Sequence, residues 1–267
     1  MWTDVADLHA FYASPTGLMA RRLIRRKLRL MWPNVGGATV LGFGYATPYL
    51  RTFHREAVRV CALMPPQQGI LQWTLGGKVA AGLADETMFP LPDGCIDRLL
   101  LIHAVEASEA LRPMLAECWR VMSDGGRMIV VAPNRRGIWA RLERTPFGQG
   151  RPFSEGQIRQ LLRETQFTPV RSEAALFAPP IRRRAILSTA RAWERAGERW
   201  LGLIAGVTLT EATKQVYSAV ALPVRSPFRI LPAPVRPAAA RETSYAPPPA
   251  FRHNSRLRHF DRSGKAA

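Results

Sequence analysis

His103 and Glu106 stand three residues apart, just beyond the apolar run Leu99-Leu100-Leu101-Ile102. Imidazole is the side chain best suited to accept a proton near neutral pH. A carboxylate three residues on can orient its ring or cap a following helix. Asn134, Arg135 and Arg136 follow a second apolar run, and paired guanidiniums suit an anionic group. Arg182-Arg183-Arg184 opens a later helical stretch, where positive charge opposes the helix macrodipole and so points to an anionic contact. Glu117 and Arg120 share one helix face at pairing distance and read as structural. The three cysteines, Cys61, Cys95 and Cys118, form no CxxC pair, which argues against a zinc site or a disulfide framework. Hydrolase, metalloprotease, P-loop and EF-hand patterns are absent from the sequence.

The elements that must position these groups can be read from apolar periodicity. Ser14 and Pro15 make an N-cap and a first helical position. They open a helix through GLMARRLIRRKLRLMW, which ends at Pro33. Leu18, Leu23, Ile24, Leu28 and Met31 form its stripe and five arginines flank it. Packing of that stripe on a sheet, with the arginines in water, is the expectation. Apolar strands are then expected at Ala38–Leu41, Ala57–Leu63, Lys78–Leu83, Cys95–Ile102 and Arg127–Ala132, with helices near Thr47–His54 and Ser108–Met122 between them. Short, unalternating strands separated by helices imply a doubly wound α/β fold with a mostly parallel sheet. Ligands of such sheets bind outside the carboxyl ends of the strands. Further on, Ser154 and Gln157 form a capping box. Phe167–Phe177 reads as a strand, Arg184–Leu203 as a helix and Gln215–Leu222 as a final strand.

The composition adds charge to this frame. Of 267 residues, 38 are Lys or Arg and 20 are Asp or Glu, a formal net charge of +18. An Arg-rich genome explains this as readily as an anionic partner does. Residues 224–267 hold seven prolines, nine basic and two acidic residues. They read as a disordered basic tail. The expected organisation is a helical extension over 1–36, one domain over 37–223 and that tail. Asp4 and Asp7 argue against a leader peptide, no stretch is apolar enough to span a membrane, and a cytoplasmic location is expected.

Three segments together resemble the class I S-adenosylmethionine-dependent methyltransferases, in the small-molecule, type 11-like branch. VLGFGYATPYL (Val40–Leu50) is similar to that family's first strand and glycine loop. DETMFPLPDGCIDRLLLIHAVE (Asp85–Glu106) is similar to its acid segment and fourth strand, and ECWRVMSDGGRMIVVAPNR (Glu117–Arg135) to its helix, glycine turn and fifth strand. The resemblance covers roughly residues 15–180. It implies a seven-stranded Rossmann-like sheet and S-adenosylmethionine as cofactor. It also implies methyl transfer to a small molecule by in-line attack on the sulfonium methyl. The implied cofactor-binding residues are Gly42, Gly44, Ala46, Asp85 and Glu86. Asp85 or Glu86 stands at the adenine-contacting acid, and His103 becomes the acceptor-side base.

The sequence departs from the family pattern in several places. Gly42 replaces an acid, Ala46 and Pro48 replace two glycines, and Ala62 stands where the ribose-binding carboxylate is expected. These departures leave open a second class, a binding module of the same fold without the cofactor. A third is an RNA-binding methyltransferase using the Arg-rich helix and tail as contacts for an anionic partner.

Overall fold

The computed structural model describes residues 2–180 and 204–215, with a few positions (189, 193–194 and 196–197) between them. Two helices come first, α1 (Val5–Ala13) and α2 (Pro15–Met31). Asp4 caps α1 by accepting from the Ala6 N–H, and Ser14 caps α2 by accepting from the Gly17 N–H. The sequence reading began its first helix at Ser14 and did not anticipate α1. Strand β1 (Thr39–Gly44), the single-turn helix α3 (Thr47–Leu50) and strand β2 (Arg59–Met64) follow. Next come a small hairpin, β3 (Thr74–Leu75) with β4 (Lys78–Val79), and then β5 (Ala81–Leu83), β6 (Ile96–Ile102), α4 (Leu111–Val121) and β7 (Met122–Pro133). The chain continues through α5 (Glu155–Glu164) and β8 (Phe167–Ala175), and β9 (Val207–Lys214) completes the sheet.

The seven strands run in the order β5-β2-β1-β6-β7-β9-β8. All pairs are parallel except those of β9, which lies antiparallel to both β7 and β8. Alternate residues of the central strands feed two cores. Val40, Leu100, Ile102, Ile129 and Val131 pack with Leu23, Ile24 and Leu28 of α2 on one face. Leu41, Phe43, Leu99, Leu101, Met128 and Val130 pack with Met114, Leu115 and Cys118 of α4 and Ile158 of α5 on the other. This is the doubly wound α/β arrangement. The apolar stripe of α2 is buried and Arg22, Arg25 and Arg26 are exposed, as the periodicity implied.

Several boundaries differ from the sequence reading. The expected strand over Lys78–Leu83 divides at Ala80, so that Lys78–Val79 closes the hairpin and only Ala81–Leu83 joins the sheet. The last strand among the described residues is Val207–Lys214, which the sequence reading did not anticipate, and the strand expected over Gln215–Leu222 lies, beyond Gln215, outside the described residues. Buried Thr208, Thr210 and Glu211 hid Val207–Lys214 from a search for apolar runs. Glu211 is held by the Arg171 guanidinium at 2.7 Å and the Trp32 indole N–H at 3.1 Å, which makes a buried carboxylate tolerable. The capping box at Ser154 and Gln157 is present. Most of the expected helix over 184–203 and the tail beyond 215 lie outside the described residues. Among the described residues no helix is long and apolar enough to cross a membrane.

Candidate functional site

Strand order reverses between β1 and β6, and the crevice outside their carboxyl ends is where a doubly wound sheet binds ligands. Gly44 ends β1 there, opposite Ile102 at the end of β6. Its φ is +78°, and a Cβ at this position would lie 2.3 Å from the Ile102 carbonyl oxygen. Only glycine fits such a turn without strain. The chain then donates from the Tyr45 N–H to that same carbonyl at 2.9 Å. The two central strands are thus stitched together where the crevice opens.

His103 follows Ile102 with φ +53°, a left-handed conformation rare for a side-chain-bearing residue. This turn carries the imidazole into a buried polar chain. The Tyr49 hydroxyl donates to the Tyr12 hydroxyl at 2.9 Å. Tyr12 Oη lies 2.8 Å from His103 Nε2, and His103 Nδ1 lies 3.0 Å from Glu106 Oε1. Counting hydrogens assigns the tautomer. Tyr49 spends its proton on Tyr12, so Tyr12 spends its own on Nε2. The ring proton then sits on Nδ1 and is donated to Glu106. Carboxylate, imidazole and hydroxyl therefore stand in the order of a proton relay. Burial raises the Tyr12 and Tyr49 hydroxyls well above the ordinary tyrosine range, so both stay protonated donors.

The other residues singled out in the sequence are placed as follows. Gly42 lies under α3, where a Cβ would come 2.5 Å from the Ala46 Cβ and 2.7 Å from Leu50 Cδ1; it is a packing position. Ala46 is buried with φ −87°, so no left-handed glycine is needed there. Asp85 is exposed and closes a turn by accepting from the Thr87 N–H and hydroxyl at 2.8 and 2.6 Å. Those bonds hold its carboxyl below the usual range. Glu86 is buried and accepts from the N–H groups of Glu109 and Ala110, leading into α4. Glu117 and Arg120 do pair, at 2.6 Å, and Glu117 also accepts from the Phe89 N–H. Asp93 is ion-paired to Arg120. Asn134 donates to the Ala205 carbonyl and accepts from the Arg136 N–H, a local structural role.

Sequence reasoning missed the N-terminal contribution. Trp2 packs edge-on against Phe43 with ring centroids 6.0 Å apart, and Tyr12 stacks on Tyr45 at 5.5 Å. The signal was present: Asp4 as N-cap, then Val5, Leu8 and Tyr12 at helical spacing. Gln68, in the loop after β2, was also missed. It is fully buried and neither amide atom has a partner. One oxygen each of Glu86 and Glu106 and the Ser108 hydroxyl are buried and unpartnered as well. All four residues sit beyond the carboxyl ends of β2, β5 or β6. Such orphans are uncommon in native cores and call for an explanation. Among the described residues no cluster of His, Cys, Asp and Glu is placed to hold a metal ion.

A cleft of about 670 Å³ opens beside this chain, between α1, α2, the start of α3 and the loop 71–73. Tyr12 belongs to both its wall and the buried relay.

Comparisons with known proteins agree with this architecture. A family model described as a methyltransferase domain matches residues 41–130, the stretch from β1 into β7. The chain is 26% identical over 156 residues to a demethylmenaquinone methyltransferase of Thermus thermophilus, across 58% of this chain and 63% of that protein's length. Among solved structures, a chain of the complex between the Haloferax volcanii Trm112 methyltransferase activator and a methyltransferase aligns with TM-score 0.56 and 18% identity. That alignment covers 81% of this chain and all of the other. An S-adenosylmethionine-dependent methyltransferase of Thermotoga maritima aligns with TM-score 0.54 and 15% identity, over 79% and 96% of the two chains. The 1,6-didemethyltoxoflavin-N1-methyltransferase of Burkholderia thailandensis, solved with bound 1,6-didemethyltoxoflavin and S-adenosylhomocysteine, aligns with TM-score 0.50 and 16% identity, over 79% and 85%. At these identities the structural likeness concerns the fold. The fold and the matched segment are similar to those of class I methyltransferase domains, and the family model that matches is that of the type 11 branch of the S-adenosylmethionine-dependent methyltransferases.

Proposed function

We propose that the chain is an S-adenosylmethionine-dependent methyltransferase acting on a small molecule, with His103 as the acceptor-side base. The observation that carries the reading is the convergence of the Gly44 turn and the Glu106–His103–Tyr12 chain at the point where strand order reverses. Support also comes from the unpartnered polar atoms around the same edge. Gln68 offers both an acceptor and a donor beyond β2, matching a ribose diol in kind, and Glu86 and Ser108 offer further sites beyond β5 and β6. The residues fit the cofactor in this respect, although the end of β2 (Ala62, Leu63, Met64) carries no carboxylate. A lost hydrogen bond to an ionised group costs about 1.5–3 kcal/mol, roughly 10- to 150-fold in affinity.

The cofactor, when bound, supplies a methyl group on a sulfonium, already a good leaving group. Gln68, Glu86 and Ser108 would hold it. Glu106 keeps the imidazole in its Nδ1–H tautomer, so that Nε2 carries the lone pair that accepts a proton. Tyr12, bonded to Nε2, either relays that proton from the cleft or moves aside with α1 to admit the acceptor. The test is transfer of an isotopically labelled methyl group to a panel of small acceptors. Replacing His103 by Ala is expected to lower kcat by roughly 10²–10⁴-fold. Transfer at the wild-type rate in that variant removes His103 from the mechanism.

One set of observations favours a second reading, a binding module that keeps the fold without the cofactor. Trp2 fills space against Phe43, and Ala62 replaces the carboxylate. Absence of cofactor binding in the folded protein selects this reading.

A further inference from the structure

Three arginines converge on the 670 Å³ cleft: Arg21 and Arg25 from successive turns of α2, and Arg51 just after α3. No carboxylate lines it. Among the described residues none of the three has an ion-pair partner, whereas Lys27 and Arg29 on the same helix are paired with Glu173 and Glu56. Arg21 and Arg25 are four residues apart, a spacing at which like charges repel. No carboxylate among the described residues is placed to offset that repulsion. The aromatic part of the wall is Tyr45, Trp73 and Tyr12, all buried rings. The Tyr45 hydroxyl is pushed up to about 12 by burial, opposed by the nearby Arg21 guanidinium, so it remains a donor facing the cleft. Guanidiniums recognise planar or tetrahedral oxyanions by paired N–H donors, and aromatic walls take planar rings.

We infer that this cleft binds a ligand carrying a phosphate or carboxylate beside a planar ring, and that this ligand is the methyl acceptor. The second half of the inference rests on the methyltransferase reading above; the first half stands without it. Tyr12 connects the two, since its ring lines the cleft while its hydroxyl touches His103. An acceptor anchored through its anion would be held next to the relay.

The experiment is titration of the full chain, without cofactor, with phenyl phosphate, benzoate and inorganic phosphate at low ionic strength, followed by tryptophan fluorescence and calorimetry. Saturable binding of an aryl anion is expected, weakening steeply with added salt. Phenyl phosphate against benzoate distinguishes the two oxyanions. Arg21→Gln, Arg25→Gln and Arg51→Gln are each expected to weaken binding by about 10- to 100-fold. The melting temperature should be unchanged or slightly raised as repulsion is relieved. The charge-matched controls Arg22→Gln and Arg55→Gln, single variants at exposed positions away from the cleft, should each bind as wild type. No saturation at 10 mM, the order of a very weak site, or equal weakening in the controls, overturns the binding site. A repeat with saturating S-adenosylhomocysteine tests the acceptor role. Simultaneous binding supports it, and mutual exclusion overturns it by showing that the arginines hold the cofactor's own carboxylate. If the cofactor fails to bind while the aryl anion does, the methyltransferase reading fails and the anion site remains.

Discussion

Replacing Tyr12 by Phe keeps the ring, its stacking on Tyr45 and its burial, and removes one oxygen from the middle of a buried chain. Two groups lose their partners at once. Among the described residues the Tyr49 hydroxyl has no other acceptor, and His103 Nε2 has no other donor. Each buried orphan costs about 1–3 kcal/mol, so the variant is expected to lose roughly 2–5 kcal/mol. In a domain of this size that corresponds to a fall in melting temperature of roughly 5–15 °C. Tyr49→Phe removes only a donor and leaves the Tyr12–His103 bond intact, so about 0.5–1.5 kcal/mol is expected. The double variant gives the sharper result. With Tyr49 already Phe, deletion of the Tyr12 hydroxyl orphans only His103, so Tyr12→Phe/Tyr49→Phe should be more stable than Tyr12→Phe alone. Urea unfolding followed by tryptophan fluorescence, with unchanged slopes, measures all four proteins. Additive losses, or a harmless Tyr12→Phe, would refute the hydrogen-bond order from which the His103 tautomer was deduced.

Other consequences are as direct. Gly44→Ala combines left-handed backbone with a clash on the Ile102 carbonyl, and a loss of about 2–5 kcal/mol is expected in thermal or chemical unfolding. The Arg120 guanidinium, aided by the Phe89 N–H, holds the Glu117 carboxyl below its ordinary value. A depressed carboxyl stabilises the fold above its unfolded value, near 4.5, and loses that contribution as pH falls through the lower folded value. Stability measured from neutral pH downward should therefore fall less steeply below that point in Glu117→Gln than in wild type. Burial pushes the Cys61 thiol up to about 11, and Cys118 is fully enclosed. Thiol labelling at pH 8 should be fastest at Cys95, slow at Cys61, and at Cys118 limited by unfolding.

The parallel half of the sheet was legible because its strands are buried on both faces and so read as unbroken apolar runs. Gly44 and His103 were legible for a related reason, since each marks the end of such a run. The antiparallel strand β9 was not. Its threonines and Glu211 are buried through partners far away in sequence, Arg171 and Trp32, and no local pattern announces them. The N-terminal helix α1 was masked by its short length and by the stronger signal of α2, although Asp4 and the spacing of Val5, Leu8 and Tyr12 were in view. Its omission removed Tyr12 from the candidate site and with it the relay. The roles of Asp85 and Glu86 turned on backbone partners, Thr87 in one case and Glu109 with Ala110 in the other. Such contacts follow from turn geometry and cannot be read from residue type. The arginines of α2 looked like one solvated set; only the fold separates Arg21 and Arg25, which face a cleft with Arg51, from those in open water.

The central claim is that the edge carrying Gly44, Gln68 and His103 binds S-adenosylmethionine. Thermal unfolding of the purified chain with and without S-adenosylmethionine or S-adenosylhomocysteine tests it most directly. Ligand at 100 times its dissociation constant stabilises by about 2.7 kcal/mol. The account predicts a rise of roughly 5–10 °C in the wild type and a smaller rise in Gln68→Leu at the same ligand concentration. An unchanged melting temperature at millimolar ligand, in a protein that unfolds cooperatively without it, would contradict the claim.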